Sequence, residues 1–494
     1  MVLTWVEILL LGLACCLFIR STWNSMYKDR NLPPGPTPLP FIGNLLQIER
    51  GQMAKSLMKL WKKYGDVYTL YFGSSPVIVI CGYQAVKEAL VDQGEEFGAR
   101  GNLATINKFT QGYGIVFSNG ERWRTMRNFT LRNLRSFGMG KKSIEGKIQE
   151  EAQYLVEEFK NPKGMPLNPS KNIISAVSNV LCSIIFGNRF EYTDERFFKL
   201  LKIVEEICSL TSSSWGQLQN IFPTLMDYVP GPHQKICSIS EELNQFIYER
   251  VQKNQETLDP ESPRDFIDNF LIKLQEEQQN PASQFNMRNI MMTFYTLFLA
   301  GAETSTTVLK HSLLILVTYP EIQANVHKEI DQVIGRGRAP NYNDRAKMPY
   351  TEAVIHEILR FADIVPLNVP HMVTKDTTFR GFSIPKGIEV HPILCSVHRD
   401  PTQFANPYKF DPNHFLDENG SFKRHEAMMA FSAGKRICLG ESLARMEIFV
   451  FLTTILQNFT LTSQKKFSEA DITPRMGGFV NAPIPYEISF ICRQ

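Results

Sequence analysis

Residues 431–440 read FSAGKRICLG. Gly434 and Gly440 flank two cations, Lys435 and Arg436, and a single cysteine, Cys438. The residues that follow, ESLARMEIFVFLTTILQNF, bring Leu443, Met446, Phe449, Leu452, Ile455 and Leu456 round at helical spacing. Cys438 therefore stands at or just before the N-terminus of an apolar helix. Free N–H groups and the positive end of the helix dipole favour a thiolate there, and Arg436 and Lys435 add positive charge. The glycines permit tight turns and close approach of a flat ligand. These residues leave three roles open for Cys438: an axial thiolate on haem iron, a nucleophile with His371 or His414 as its base, or a structural thiol.

The rest of the chain narrows the class. Its 494 residues are 43% hydrophobic, ample for a large core. Length alone would allow about three domains, but no linker, repeat or low-complexity block divides the sequence, which predicts one large domain. Lys and Arg number 53 against 50 Asp and Glu, a net charge of +3. That balance argues against a general nucleic-acid binder. The nine cysteines are an odd number with no zinc-type spacing, which suits a reduced, cytosol-facing body.

Residues 1–19, MVLTWVEILLLGLACCLFI, reach the roughly 17–25 residues needed to span a bilayer. No Lys or Arg precedes them, and Arg20, Lys28 and Arg30 follow, so the body is predicted on the cytosolic side. A cleaved signal peptide is the competing reading; it would want a charged leader and a small-x-small site, and here the charged leader is missing and the flank is STWNSMYKDR. The run LPPGPTPLP, Leu32 to Pro40, then reads as a stiff spacer. Residues 53–64 read as a helix, 66–80 as two strands about a turn, and 373–392 as short strands; helical patterns dominate between. Segment 211–230, with Trp215, Ile221, Phe222, Leu225, Met226 and Tyr228 and few charges, is either ordinary core or a second membrane contact.

Three more motifs carry chemistry. AGAET, Ala300 to Thr304, lies inside a helical run from about Asn286 to Tyr319, roughly 50 Å long. Glu303, Lys310 and His311 interrupt it, so it is not a membrane span. Gly, acid and Thr in mid-helix are poor helix chemistry, and such a breach points to function. Ala300 and Gly301 would leave room for a flat ligand, and Glu303 and Thr304 could hold water and relay protons. EILR, Glu357 to Arg360, sets acid and base at i,i+3 on one helix face. WRTMR, Trp123 to Arg127, sets an indole N–H and a guanidinium at i,i+4, able to grip one carboxylate.

Together these motifs resemble the cytochrome P450 haem-thiolate monooxygenases. The family's signature Phe-x-x-Gly-x-Arg-x-Cys-x-Gly is met at Phe431, Gly434, Arg436, Cys438 and Gly440, and the other motifs fall in the family's order. RSFGMGKKSIEGKIQEEA and PFIGNLL resemble its vertebrate microsomal family 2 branch. The resemblance covers essentially the whole chain. It implies a mainly α fold with a smaller β portion (α+β), with residues 1–20 an anchor, 21–40 a hinge and 41–494 the catalytic domain.

It further implies haem b, with Cys438 as axial ligand and Arg100, Trp123, Arg127, His371 and Arg436 on its propionates. Glu357 and Arg360 would be structural, with His414 of PNHF standing where the family often has Arg. Phe117, Thr296, Ala300, Val365, Val369 and Phe479 would line a pocket for a lipophilic xenobiotic, steroid or fatty acid. Thr304 and Glu303 would serve proton delivery. The chain has no dinucleotide fingerprint, so the electrons of NADPH would arrive through NADPH-cytochrome P450 reductase, with cytochrome b5 as a second donor, at the endoplasmic reticulum membrane. The segment 121–147, with Arg122, Arg124, Arg127, Arg132, Arg135, Lys141, Lys142 and Lys147, would be the docking face. The sequons at Asn128, Asn419 and Asn458 would stay unused in the cytosol. Rival readings are a haem-thiolate isomerase or dehydratase, against which the intact AGAET argues, and a non-catalytic haem sensor.

Overall fold

The computed structural model describes residues 32–136, 142–474 and 479–493. The expected anchor over residues 1–20 lies outside the described residues. Among those described, no helix is long and apolar enough to cross a membrane. The described part of the proline run does not stand free. Thr69 donates from its main-chain N–H to Pro34 O at 3.0 Å and from Oγ1 to Pro33 O at 2.7 Å. A Cβ on Gly35 would overlap the Thr69 carbonyl, which is why the run carries glycine there.

The chain opens with α1 (Met53–Tyr64), matching the expected span, and stops at Gly65 with φ +86°. Strands β1 (Val67–Phe72) and β2 (Ser75–Ile80) form an antiparallel hairpin. Then come β3 (Ala99–Arg100), α2 (Ala104–Thr110), α3 (Gly120–Ser136), α4 (Lys142–Lys160), α5 (Ser170–Ile185), α6 (Glu195–Ser212), α7 (Ser214–Ile221), α8 (Lys235–Glu256) and α9 (Phe266–Glu276). Helix α10 (Met287–Thr318) is followed by α11 (Pro320–Val333) and α12 (Pro349–Ala362). Strands β4 (His371–Met372), β5 (Thr377–Phe379), β6 (Phe382–Ile384) and β7 (Glu389–Pro392) precede α13 (Glu441–Asn458), and β8 (Phe459–Thr462) pairs with β9 (Ser489–Cys492).

One sheet has the order β1-β2-β7-β4-β3. Its far edge sets Arg100 of β3 directly opposite His371 of β4, although 271 residues separate them in sequence. Helices α5, α8, α12 and α13 pack around α10, which has 32 residues and runs through the core. Asn286 caps α10 by accepting the Asn289 N–H at 2.9 Å, and Pro320 starts the next helix where this one ends. Helix α13 is apolar on nearly every side, and it is accordingly buried between α4, α10 and α11.

Candidate functional site

The loop before α13 is held in shape by its own backbone. The Cys438 N–H donates to Phe431 O at 2.9 Å, and the Ile437 N–H to Gly434 O at 3.1 Å. Gly434 has φ +69°, and a Cβ there would overlap the Leu90 carbonyl oxygen, so only glycine fits. Asn368 steadies the other side by donating from Nδ2 to Ser432 Oγ at 3.2 Å. The result leaves the Cys438 side chain exposed, unlike the buried Cys81, Cys182 and Cys395. The thiol is nevertheless crowded by protein. Burial pushes its pKa up, and the Gly440 and Glu441 N–H groups with Arg127 offset this only in part, while the Glu441 charge adds to it. The thiolate bias expected from the helix end is therefore outweighed in the free chain. A metal cation bound at this sulfur would displace the thiol proton to solvent, which burial alone does not do.

Three guanidinium groups converge beside it. Buried Arg436 donates from Nε to Gly98 O at 2.8 Å and from Nη2 to Ser118 O at 3.0 Å and Asn119 Oδ1 at 2.8 Å. Its guanidinium lies 3.8 Å from the Trp123 ring centroid. Arg100 donates from Nη1 to His371 Nε2 at 2.7 Å. Arg127 donates from Nη2 to Ile437 O at 2.7 Å, next to the cysteine. Among the described residues no carboxylate pairs with any of the three, and Arg100 Nε and Arg436 Nη1 are buried without a partner. Burial and mutual repulsion pull Arg100 down to about 9 and Arg436 to about 8. Such a cradle calls for an anionic group.

His371 donates from Nδ1 to Phe97 O at 2.7 Å, which leaves Nε2 to accept from Arg100. Burial, then the Arg100 charge, hold the ring neutral. In this arrangement it acts on the cradle through Arg100 and has no spare N–H.

Glu357 and Arg360 are fully buried and form a bidentate pair at 2.7 Å on both arms. Arg360 also donates to His398 O and Pro407 O at 2.8 Å each, and Glu357 accepts the Asp411 N–H at 2.8 Å. The pair thus pins residues 398–411. It reaches the cysteine loop indirectly, through His398 Nε2, which accepts the Met429 N–H at 3.3 Å. His414 does make the third contact, from Nδ1 to Glu357 Oε2 at 3.2 Å, with Nε2 on Ala405 O at 2.6 Å.

In α10, Ala300 is exposed while Phe298 and Ala302 near it are buried. Thr304 Oγ1 donates back to Ala300 O at 2.8 Å. Gly301 departs from expectation. A Cβ on it would crowd the Leu181 side chain of α5, so its smallness serves helix packing. Glu303 faces elsewhere from Thr304, into a cavity of about 370 Å³ shared with Lys171, Lys202, Glu205 and Lys310. Burial raises its carboxyl pKa, Lys310 opposes and Glu205 reinforces. The residue after Thr304, Ser305, points to another side and donates from Oγ to Glu447 Oε2 of α13 at 2.7 Å.

Phe117 and Val369 meet in one apolar cluster with Leu103 and Ile106. Leu103 also borders a cavity of about 500 Å³ on whose wall Phe479 stands. Thr296 is buried in α10 with its hydroxyl on Met292 O at 2.8 Å, and Val365 is half-buried.

Comparison with known proteins agrees with this geometry. The cytochrome P450 family model matches residues 33–490. The chain belongs to the cytochrome P450 family. It is 50% identical to cytochrome P450 2G1 of Rattus norvegicus over 478 residues, covering 97% of each chain. It is 49% identical to cytochrome P450 2A6 of Homo sapiens (98% of this chain, 99% of the relative) and 50% identical to cytochrome P450 2F3 of Capra hircus (98% of each). Membership makes this P450 a family 2 haem monooxygenase that uses NADPH-derived electrons through a reductase. The site fits the cofactor on its own terms: an accessible thiol, flanked by buried cations that lack carboxylates, suits a metal macrocycle carrying two carboxylates.

Several residues of this P450 site escape a reading of the sequence. Asn119 joins Arg100 to Arg436, Asn368 holds the cysteine loop, and Glu447 ties α13 to α10. The only local signal is the Asn-Gly step at the start of α3. The basic run also divides. Arg124, Arg132 and Arg135 are exposed, whereas Arg122 stacks on Tyr113, Arg127 enters the cradle and Lys147 donates to Ser183 O. Lys141 lies outside the described residues.

Proposed function

We propose that this P450 is a membrane-attached monooxygenase that inserts one oxygen atom of O₂ into a lipophilic xenobiotic, steroid or fatty acid. Its electrons come from NADPH-cytochrome P450 reductase, with cytochrome b5 as a second donor. The observation that carries the reading is the set of carboxylate-free cations, Arg100, Arg127 and Arg436, beside the accessible Cys438. Cys438 would hold the haem iron through its thiolate. Arg100, Trp123, Arg127 and Arg436 would hold the two propionates, with His371 orienting Arg100. Haem, when bound, supplies the activation of dioxygen.

The chain's own residues supply position and protons. The Thr304 hydroxyl stands on the exposed stretch of α10 and can hold a water, and Glu303, its carboxyl raised by burial, stores a proton at the neighbouring cavity. Phe117, Ala300, Val365, Val369 and Phe479 exclude water from the substrate. Two features support attachment to the endoplasmic reticulum membrane. One is the apolar stretch 1–19. The other is a surface with Phe41 61%, Leu46 77%, Leu225 61% and Tyr228 84% exposed. Arg50 of the leading segment reaches Ser214 of α7 at 3.4 Å, so the two parts of that surface adjoin. The exposed Arg132 and Arg135 support docking of an acidic reductase.

The test is the reduced carbon monoxide spectrum together with NADPH consumption in the presence of reductase and a panel of lipophilic compounds. A strongly red-shifted Soret band that Cys438→Ser abolishes, with substrate-dependent NADPH use, is expected. The band without any NADPH use would favour the isomerase or sensor readings, and absence of haem would overturn all three.

A further inference from the structure

Arg445 stands on the second turn of α13, and its guanidinium is shared among three groups. Nε donates to Glu441 Oε1, one turn earlier, at 2.9 Å. Nη1 donates to His356 Nε2 of α12 at 2.9 Å. The guanidinium carbon lies 4.9 Å from the Phe431 ring centroid. His356 brings no counter-charge. Its Nδ1 donates to Glu352 O at 2.8 Å, and burial, then the Arg445 charge, pull the ring down to about 3, so it is neutral. Glu352 has a cation of its own in Arg345, at 3.5 Å. Among the described residues, Glu441 is thus the carboxylate that pairs with Arg445. Their side chains are 25% and 19% exposed, so water screens the pair only in part.

Both partners bear on the cysteine. Phe431 begins the loop, and its carbonyl accepts the Cys438 N–H at 2.9 Å. Glu441 follows the loop's last glycine, and a Cβ on that Gly440 would stand 3.9 Å from Cys438 Sγ. The Glu441 charge opposes a thiolate there. Arg445 therefore touches the loop where it begins and neutralises the acid where it ends. We propose that Arg445 is a positioning residue for Cys438, and that its pairing with Glu441 sets the reduction potential of haem iron bound at that sulfur. The inference rests on the monooxygenase reading and adds a control on how readily the iron accepts an electron. An unneutralised Glu441 favours the ferric state, and an unneutralised Arg445 favours the ferrous one. For a partly buried unit charge near the metal, the effect on the ferric-to-ferrous ratio is about tenfold, or ~59 mV for a one-electron couple.

The experiment is a spectroelectrochemical titration of the full-length holoenzyme in detergent, with E441Q, R445Q, the double variant and R445K. E441Q should raise the potential and R445Q should lower it, each by about the tenfold ratio. The double variant should fall between them, and R445K, which keeps the charge, should stay within threefold of the wild type. A merely structural tie between α12 and α13 would lower the unfolding temperature of R445Q and R445K alike without opposed shifts in potential. An unchanged potential in E441Q, or shifts of the same sign in E441Q and R445Q, would overturn the proposal. If R445Q fails to hold haem, E441Q decides alone, because it leaves Arg445 and its contacts to His356 and Phe431 in place. A wild type without the red-shifted reduced carbon monoxide band would sink the monooxygenase reading instead, before any variant is compared.

Discussion

Asn119 accepts a hydrogen bond from Arg436 Nη2 at 2.8 Å, and the same amide oxygen accepts the Arg100 main-chain N–H at 2.7 Å. Asn119 Nδ2 returns a bond to Arg100 O at 3.0 Å. One side chain before α3 thus joins the edge strand to the cysteine loop. Asn119→Ala should leave the fold intact but loosen two cations at once. At about 1 kcal/mol per bond, haem should transfer to an acceptor globin roughly tenfold faster than from the wild type. An unchanged transfer rate would show that the cradle is set without Asn119.

Gly434 has no room for a side chain against the Leu90 carbonyl and sits at φ +69°. Gly434→Ala should destabilise the loop by about 1–3 kcal/mol from backbone strain, and by more from the overlap. The expected readout is loss of the reduced carbon monoxide band at normal expression. The full band in Gly434→Ala would refute the packing argument.

His414 offers both ring nitrogens to acceptors, Glu357 Oε2 and Ala405 O, an arrangement that suits the charged ring. Burial opposes that charge, but the Glu357 bond and its charge outweigh it and raise the pKa above 6.5. A raised folded pKa stabilises fully below the unfolded value and is lost as pH rises through the folded one. Wild-type stability should therefore fall on raising the pH from 6 through that value, and His414→Arg should flatten this part of the profile. Denaturant unfolding at several pH values makes the comparison, and identical profiles would count against the charged ring.

Glu447 is buried on α13, where burial pushes its carboxyl up to about 8 although Ser305 bonds it. Its folded pKa exceeds the usual 4.5, so holding it in the core becomes more costly as pH rises between those values. Glu447→Gln should match the wild type near pH 4 and exceed it at pH 9, by an amount on the order of a few kcal/mol. Thermal unfolding across pH reads this out, and a constant difference would mean the carboxyl does not titrate there.

Arg132 and Arg135 are exposed on α3, whereas Arg127 on the same helix is committed to the cradle. Neutralising the exposed pair with Gln should raise the reductase concentration needed for half-maximal turnover several-fold and weaken its salt dependence, with haem content unchanged. Equal salt titrations for variant and wild type would remove this face from the docking surface.

Most of the architecture was legible because it repeats locally. The span of α1, the β1–β2 hairpin and the limits of α10 follow from apolar periodicity, a Gly or Pro stop and an Asn cap, all within a few residues. The signature around Cys438 was legible because glycine and cation spacing in a loop constrains chemistry directly. Gly301 was misread for the complementary reason. Its neighbour Leu181 lies on another helix, and nothing local distinguishes a glycine that clears a ligand from one that admits a leucine.

By itself, then, the sequence determined the helix-rich class and the family, and it singled out Cys438 as the thiol proposed to hold iron, since those depend on residues close together in the chain. Tertiary structure alone decided which cations lose their counter-charges, that Asn119 bridges two of them, and that Glu303 lines a cavity with Lys171, Lys202, Glu205 and Lys310 while the Thr304 hydroxyl turns back to Ala300 O. These facts arise from contacts and desolvation across long sequence separations, as with Arg100 and His371, and burial is a property of the packed molecule rather than of any stretch of the chain.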